Sequence, residues 1–310
     1  TGDAASPRIV YPSDETMFPI NLAPVLHQWH AGAALDLFEV RMDSDVAHVR
    51  FYTTAHDLLP DAAAWATVLH SHAGRSLVLT VRGLATAAPA TIYRSQDVTL
   101  YFSRSEVLGA LYYWSTGAQG VMRAHISATT ATKFFTDPTT SDRTCVACHT
   151  VSRDGRRLAV GYGGEHLREV TVPDRTLMIP AMPMARAPDA SWSTFNPGAT
   201  KLMIAHHGVL TVLDADTGSS LGTVTLPTGK FATMPDWSPD GHYVAVAYSA
   251  ATADRNVQAS SIARIPVHDD GTFGTPEVIV ASSGASDANF FPSYSPDSRW
   301  IAFVRAVGKS

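Results

Sequence analysis

Two thiols separated by two residues, and followed directly by an imidazole, form the most reactive constellation in the chain: Cys145-Val146-Ala147-Cys148-His149. These are the only cysteines among 310 residues, so all thiol chemistry is confined to five positions. The Cys-x-x-Cys-His spacing is the attachment signature of covalent haem: two thiols add across the vinyl groups and the adjacent His places its imidazole on the iron as proximal ligand. Three other uses compete for the same residues. A zinc site needs two further Cys or His ligands, and the thirteen histidines supply no clear second half-site. A thioredoxin-like dithiol expects a strand-helix-strand setting. A disulfide between Cys145 and Cys148 leaves His149 without a role.

Other reactive patterns are weaker. Gly161-Tyr162-Gly163-Gly164 lacks the Lys-Ser/Thr ending of a phosphate loop and reads as a turn. Asp214 and Asp216 stand where they would cap a turn. Asp287 and Asn289 are polar without an assigned role. There is no Gly-x-Ser-x-Gly elbow, no His-Glu-x-x-His pair and no close carboxylate pair for hydrolysis. The net charge of −5 and pI near 6.2, with Lys and Arg scattered, exclude a nucleic-acid surface. No apolar stretch approaches the roughly 20 residues of a membrane helix. The N-terminal Thr-Gly-Asp-Ala-Ala-Ser-Pro lacks the basic and apolar regions of a signal peptide, so the chain is expected to be soluble and already processed.

The elements that must hold the motif are strands. Apolar residues make up 45% of the chain and charged residues 16%, a balance suited to packed β-rich domains. Period-two patterns at Arg8–Pro12, Leu37–Arg41, His48–Tyr52, Ser76–Thr80 and Val98–Phe102 predict an antiparallel sandwich of immunoglobulin or fibronectin type, with one or two helical turns over Asp61–Val68. A repeat then begins. Val151-Ser152-Arg153-Asp154-Gly155, Phe195-Asn196-Pro197-Gly198, Trp237-Ser238-Pro239-Asp240-Gly241 and Tyr294-Ser295-Pro296-Asp297-Ser298 are each followed by an apolar strand. Ser152, Asn196, Ser238 and Ser295 stand 44, 42 and 57 residues apart; the first two intervals match the period of a propeller blade of about 40–45 residues, and the last carries an insertion.

Trp-Ser-Pro-Asp-Gly before Val-Ala-Val-Ala and Tyr-Ser-Pro-Asp-Ser before Trp-Ile-Ala-Phe resemble the repeats of TolB-type, WD40-like propellers, and the haem motif resembles that of c-type cytochromes. The resemblance implies an all-β fold: a sandwich over 1–108, then propeller blades over 109–310 carrying one covalent haem c. Six blades need roughly 250 residues, so the expectation is a fragment or a ring completed by other residues, with Leu111–Trp114 and Val121–Ile126 lending an outer strand.

Aligning the repeats sets Cys148 in register with Trp192, Met234 and Phe291, and His149 with Pro235 and Pro292. Equivalent positions ring a propeller axis, so a haem on the first blade would rest at the channel mouth against Trp192 and Phe291; the same residues also suit ordinary packing between blades. Met234 heads the candidates for the sixth iron ligand opposite His149, ahead of Met178, Met182, Met184, His166, His206 and His207. The implied function is electron transfer with a redox partner protein in the periplasm or at the cell surface. The rival readings are a haem-dependent oxidoreductase using the channel, and a binding or assembly subunit.

Overall fold

In a computed structural model, which describes residues 4–31, 34–135, 146–162, 166–179, 188–251 and 257–308, the period-two segments form strands throughout, accompanied by one helix among the described residues. The fold is all-β, in two units: Thr1–Leu111 with Ala124–Ala131, and Tyr112–Arg123 with Thr132–Ser310. The small excursion Ala124–Ala131 joins the first unit, where the Ile126 carbonyl accepts a hydrogen bond from Ala23 N–H at 2.9 Å.

The first unit comprises β1 (Arg8–Tyr11), β2 (Thr16–Phe18), β3 (His27–His30), β4 (Leu37–Asp43), β5 (His48–Thr53), β6 (Asp57–Leu58), α1 (Ala62–Ser71), β7 (Ser76–Leu84), β8 (Tyr93–Arg94) and β9 (Val98–Phe102). One sheet runs β1-β3-β6 and the larger β2-β9-β7-β4-β5, with β8 on β7. Alternation along β4 buries Phe38, Val40 and Met42, while Glu39, Arg41 and Asp43 take the other face. Trp29 of β3, the larger sheet and α1 close one core. The helix outruns the expected turn or two: Asp61 caps it, its Oδ1 accepting from Ala63 and Ala64 N–H, and Trp65, Val68 and Leu69 pin its buried face.

The second unit is a row of antiparallel sheets in sequence order. β10 (Ala110–Ser115), β11 (Gly120–His125) and β12 (Thr132–Phe135) make the first. The second is β13 (Val146–Val151), β14 (Arg157–Tyr162), β15 (His166–Thr171) and β16 (Leu177–Ile179). The third is β17 (Trp192–Phe195), β18 (Lys201–His206), β19 (Val209–Asp214) and β20 (Ser220–Thr223). The fourth is β21 (Phe231–Trp237), β22 (Tyr243–Ser249), β23 (Ser261–Pro266) and β24 (Glu277–Val280), and β25 (Asp287–Tyr294) with β26 (Ile301–Val307) makes the fifth. Buried clusters join consecutive sheets: Val121 and Phe134 meet Val146 and Leu158, Leu167 and Ile179 meet Phe195 and Leu202, and Met203 and Leu210 meet Trp237 and Val244. Stacking of successive four-stranded sheets in this way is propeller architecture. Cys148 and His149 therefore lie in the first strand of the second sheet and not of the first; the segments expected to lend an outer strand form a sheet of their own because Val121 has Val146 to bury against.

Each repeat turn is built alike. Ser152 Oγ accepts from Arg157 N–H at 2.9 Å and donates to Asp154 at 2.6 Å, which in turn accepts from Arg156 N–H. Ser238 with Asp240 and Ser295 with Asp297 repeat the pattern, and Asn196 Oδ1 replaces it by accepting from Thr200 and Lys201 N–H. The fourth turn residue is left-handed in all four cases, at Gly155, Ala199, Gly241 and Ser298.

Candidate functional site

The four strands that begin their sheets, β13, β17, β21 and β25, carry the aligned residues. Three of them bulge at the same place: register shifts between Ala147 and His149, between Thr233 and Asp236, and between Phe290 and Ser293. Each bulge holds a residue with positive φ, Cys148 at 29°, Met234 at 52° and Phe291 at 50°. The next residues are His149, Pro235 and Pro292; proline is tolerated there because a bulge gives up a ladder hydrogen bond. Trp192 opens β17 opposite Ala205 without a bulge. Cys148 and His149 thus occupy a backbone device that recurs in blades without cysteine.

Cys148 is half-buried and backs onto Gly161 of β14, where an added Cβ would lie 3.8 Å from the Cys148 Cβ. Cys145 lies outside the described residues. Nε2 of His149 donates to the Tyr112 carbonyl of β10 at 3.2 Å. Burial pushes its pKa below the usual imidazole value, opposed by the Tyr112 carbonyl. Trp192 and Phe291 pack edge to face with centroids 5.1 Å apart, Phe290 lies edge-on to Phe291 at 5.2 Å, and Phe291 stays 44% exposed.

These residues fit a covalent tetrapyrrole as anchor and platform: a thiol at the strand end and an aromatic pair, one ring open to solvent, at the equivalent end of neighbouring strands. They do not present an axial pair. His149 turns its Nε2 to the first sheet, whereas Met234, 5% exposed, belongs to the bulge of the fourth. Ligation through Nε2 requires the imidazole to leave Tyr112.

The remaining ligand candidates have other occupations. Met178 packs against the core between the second and third sheets. His166 Nδ1 is 3.0 Å from Asp189, and the rings of His206 and His207 lie 3.9 Å apart, tilted by 49°, at the β18–β19 hairpin. Met182, Met184, Gly163 and Gly164 lie outside the described residues. Asp214 caps its turn, accepting from Asp216 and Thr217 N–H, and Asp216 pairs with Arg157. Asp287 takes two hydrogen bonds from Arg305, at 2.8 and 3.0 Å, and Asn289 ties β25 to Ser260. Among the described residues no three His, Cys, Asp or Glu side chains converge as a metal site.

One grouping has no counterpart among the sequence expectations. Thr150, Thr194, Asp236 and Ser293 oppose Ala159, Met203, Ala245 and Ala302, so they are equivalent, and all four line one cavity of about 100 Å³ with Arg153 and Tyr294. Burial pushes the Asp236 carboxyl upward, opposed by the Tyr294 N–H it accepts at 2.6 Å and by Arg153. The available signal is a polar residue two places before every repeat turn.

No family model and no curated protein matches this chain. Among solved structures it is similar to a TolB candidate from Agrobacterium tumefaciens, with 14% identity, 89% of this chain and 79% of that one covered, and a TM-score of 0.39. TolB from Acinetobacter baumannii shares 12% identity over 86% of this chain and 57% of its own, with a TM-score of 0.38. Oligogalacturonate lyase from Vibrio parahaemolyticus shares 13% over 64% and 56%, with a TM-score of 0.42. Likenesses this distant carry neither activity nor location; the propeller assignment rests on the chain's own stacked sheets.

Proposed function

We propose that the chain is an exported monohaem c-type cytochrome of the periplasm or cell surface that passes single electrons to a redox partner protein. One observation carries the reading. Cys148 and His149 of the Cys-x-x-Cys-His run sit on the bulge of β13, at the same end of the inner strands as the partly open Trp192–Phe291 pair. Haem c, when bound, supplies a one-electron couple at its iron. Cys145 and Cys148 would hold it through thioether bonds. His149, now hydrogen-bonded to the Tyr112 carbonyl, would supply its imidazole to the iron, and Met234, on the matching bulge, is the first candidate for a further ligand. Phe291 and Trp192 would supply an apolar surface beside it.

Catalysis in the channel is the weaker reading. The Asp236 cavity, about 100 Å³, is below the roughly 300 Å³ at which small-molecule sites begin.

The test is an absorbance spectrum of the protein produced with export and haem-maturation machinery. A pyridine haemochrome of c type that survives acid-acetone extraction is expected, and Cys148→Ser should abolish the two-thioether form. Colourless protein, or haem that extracts, would remove the proposal. Met234→Ala should eliminate any thioether-to-iron absorption; its persistence would identify another ligand.

A further inference from the structure

Arg157, Lys201 and Tyr243 are equivalent: each begins the second strand of its sheet and closes the repeat turn, its N–H donating to Ser152 Oγ, Asn196 Oδ1 or Ser238 Oγ. On the next strand the residues opposite Ala159, Met203 and Ala245 are equivalent in turn: Glu169, Val212 and Arg264. In the second sheet the charges close on themselves, Arg157 pairing with Glu169 and reaching Asp216 on the following sheet. In the fourth, Arg264 covers the Tyr243 ring at 4.4 Å and pairs with Glu277 at 2.8 Å. The third sheet breaks the pattern. Val212 stands where Glu169 does, and among the described residues Lys201 forms no ion pair.

Lys201 opens instead onto a groove of about 600 Å³ between the third sheet and the β23–β24 connection of the fourth. Its Nζ lies against Gly271, where an added Cβ would be 3.1 Å away. Val212, Val224, Leu221 and Phe273 give the groove an apolar lining, and Phe273 is fixed edge to face on Trp237 at 5.8 Å. The neighbouring carboxylates are held in their own turns: Asp270, which lines the groove, accepts from Thr272 N–H and Oγ1, and Asp214, opposite Lys201, accepts from Asp216 and Thr217 N–H. A cavity of this size, mostly apolar with a few polar groups, is the usual form of a small-molecule site.

We propose that this groove binds a small amphiphilic monocarboxylate. Its carboxylate takes at Lys201 the place that Glu169 and Asp216 take at Arg157, and its apolar body lies along Val212, Val224, Leu221 and Phe273. The charge count selects the class: one ammonium with the Asp270 carboxylate nearby suits a single negative charge and disfavours a phosphate dianion. A neutral ligand leaves the half-buried ammonium unpaired. The proposal is independent of the haem reading.

Isothermal titration of the full chain compares octanoate with octanamide, which has the same body without the charge. Octanoate is expected to bind at one site, about tenfold more tightly than octanamide or better. Lys201→Met keeps an unbranched stem and should erase that preference. Val212→Glu supplies the residue of the second sheet and should abolish octanoate binding, with the melting temperature unchanged or raised. Asp270→Asn should tighten octanoate binding by removing a like charge. Absence of octanoate binding to the unaltered chain, or equal binding of the two ligands, would overturn the proposal without recourse to a variant. So would a preference that survives Lys201→Met, or tighter binding of acetyl-Leu-Glu-Leu-amide, which carries the carboxylate on a peptide.

Discussion

At Glu169 a carboxylate on β15 has no exposed side-chain surface, and among the described residues its Oε2 accepts no hydrogen bond. Burial raises its pKa to about 7, opposed by Arg157, whose Nη1 lies 3.1 Å from Oε1, and reinforced by Asp216 and Asp214. The sign follows from linkage: between the ordinary value of 4.5 and about 7 the folded state holds a proton that the unfolded chain has released. The contribution is therefore fully present below pH 4.5 and lost as pH rises through about 7. Urea midpoints should fall across that window, and Glu169→Gln should flatten the fall; an unchanged slope in that variant would refute the assignment. His149 shows the limit of inference from single residues. Its type and spacing announce a ligand, but its hydrogen-bond partner is a backbone carbonyl 37 positions away, which no side-chain pattern can signal.

Turns and strands are the scale at which the sequence speaks most clearly. The Ser-x-Asp-Gly turns appear where the repeat predicts them, because a hydroxyl and a carboxylate two residues apart satisfy the turn amides locally. Gly155 has φ of 70°, and a Cβ added there would meet only open space, so Gly155→Ala tests the backbone alone. It should cost about 1 kcal/mol, lowering the melting temperature of the propeller unit by roughly 2–4 °C in calorimetry. A shift within error would mean that the turn tolerates a right-handed alternative. Ala199 and Ser298 adopt the same left-handed conformation without a glycine to announce it, since the hydrogen bonds around them hold the turn. The sequence suggests one or two helical turns over Asp61–Val68; the buried face of Trp65, Val68 and Leu69 carries the helix on to Ser71, whose Oγ donates to the Thr67 carbonyl.

Across the whole molecule, stability of the propeller unit depends on each sheet being tied to the one before it. Asn289 is completely buried: its N–H and its Nδ2 both donate to the Ser260 carbonyl at 3.0 Å, and Ser260 Oγ donates back to its carbonyl at 2.8 Å. Asn289→Ala removes the side-chain bond and should cost about 1–3 kcal/mol. The loss should fall on the fifth sheet as a unit: amides of Asp287–Tyr294 and Ile301–Val307 exchange faster while those of β18 and β22 hold their rates. Uniform acceleration would show that the sheets unfold together. By itself, the sequence determined the β-rich class, the repeat and its turns, the register of Cys148 with Met234 and Phe291, and the closeness of two thiols and an imidazole along the chain at Cys145, Cys148 and His149. All of these follow from period-two patterning, turn chemistry or spacing along a few neighbouring residues. Only the tertiary structure decided that His149 turns to Tyr112 and that Thr150, Thr194, Asp236 and Ser293 meet around one cavity. Those outcomes depend on which distant strand lies alongside.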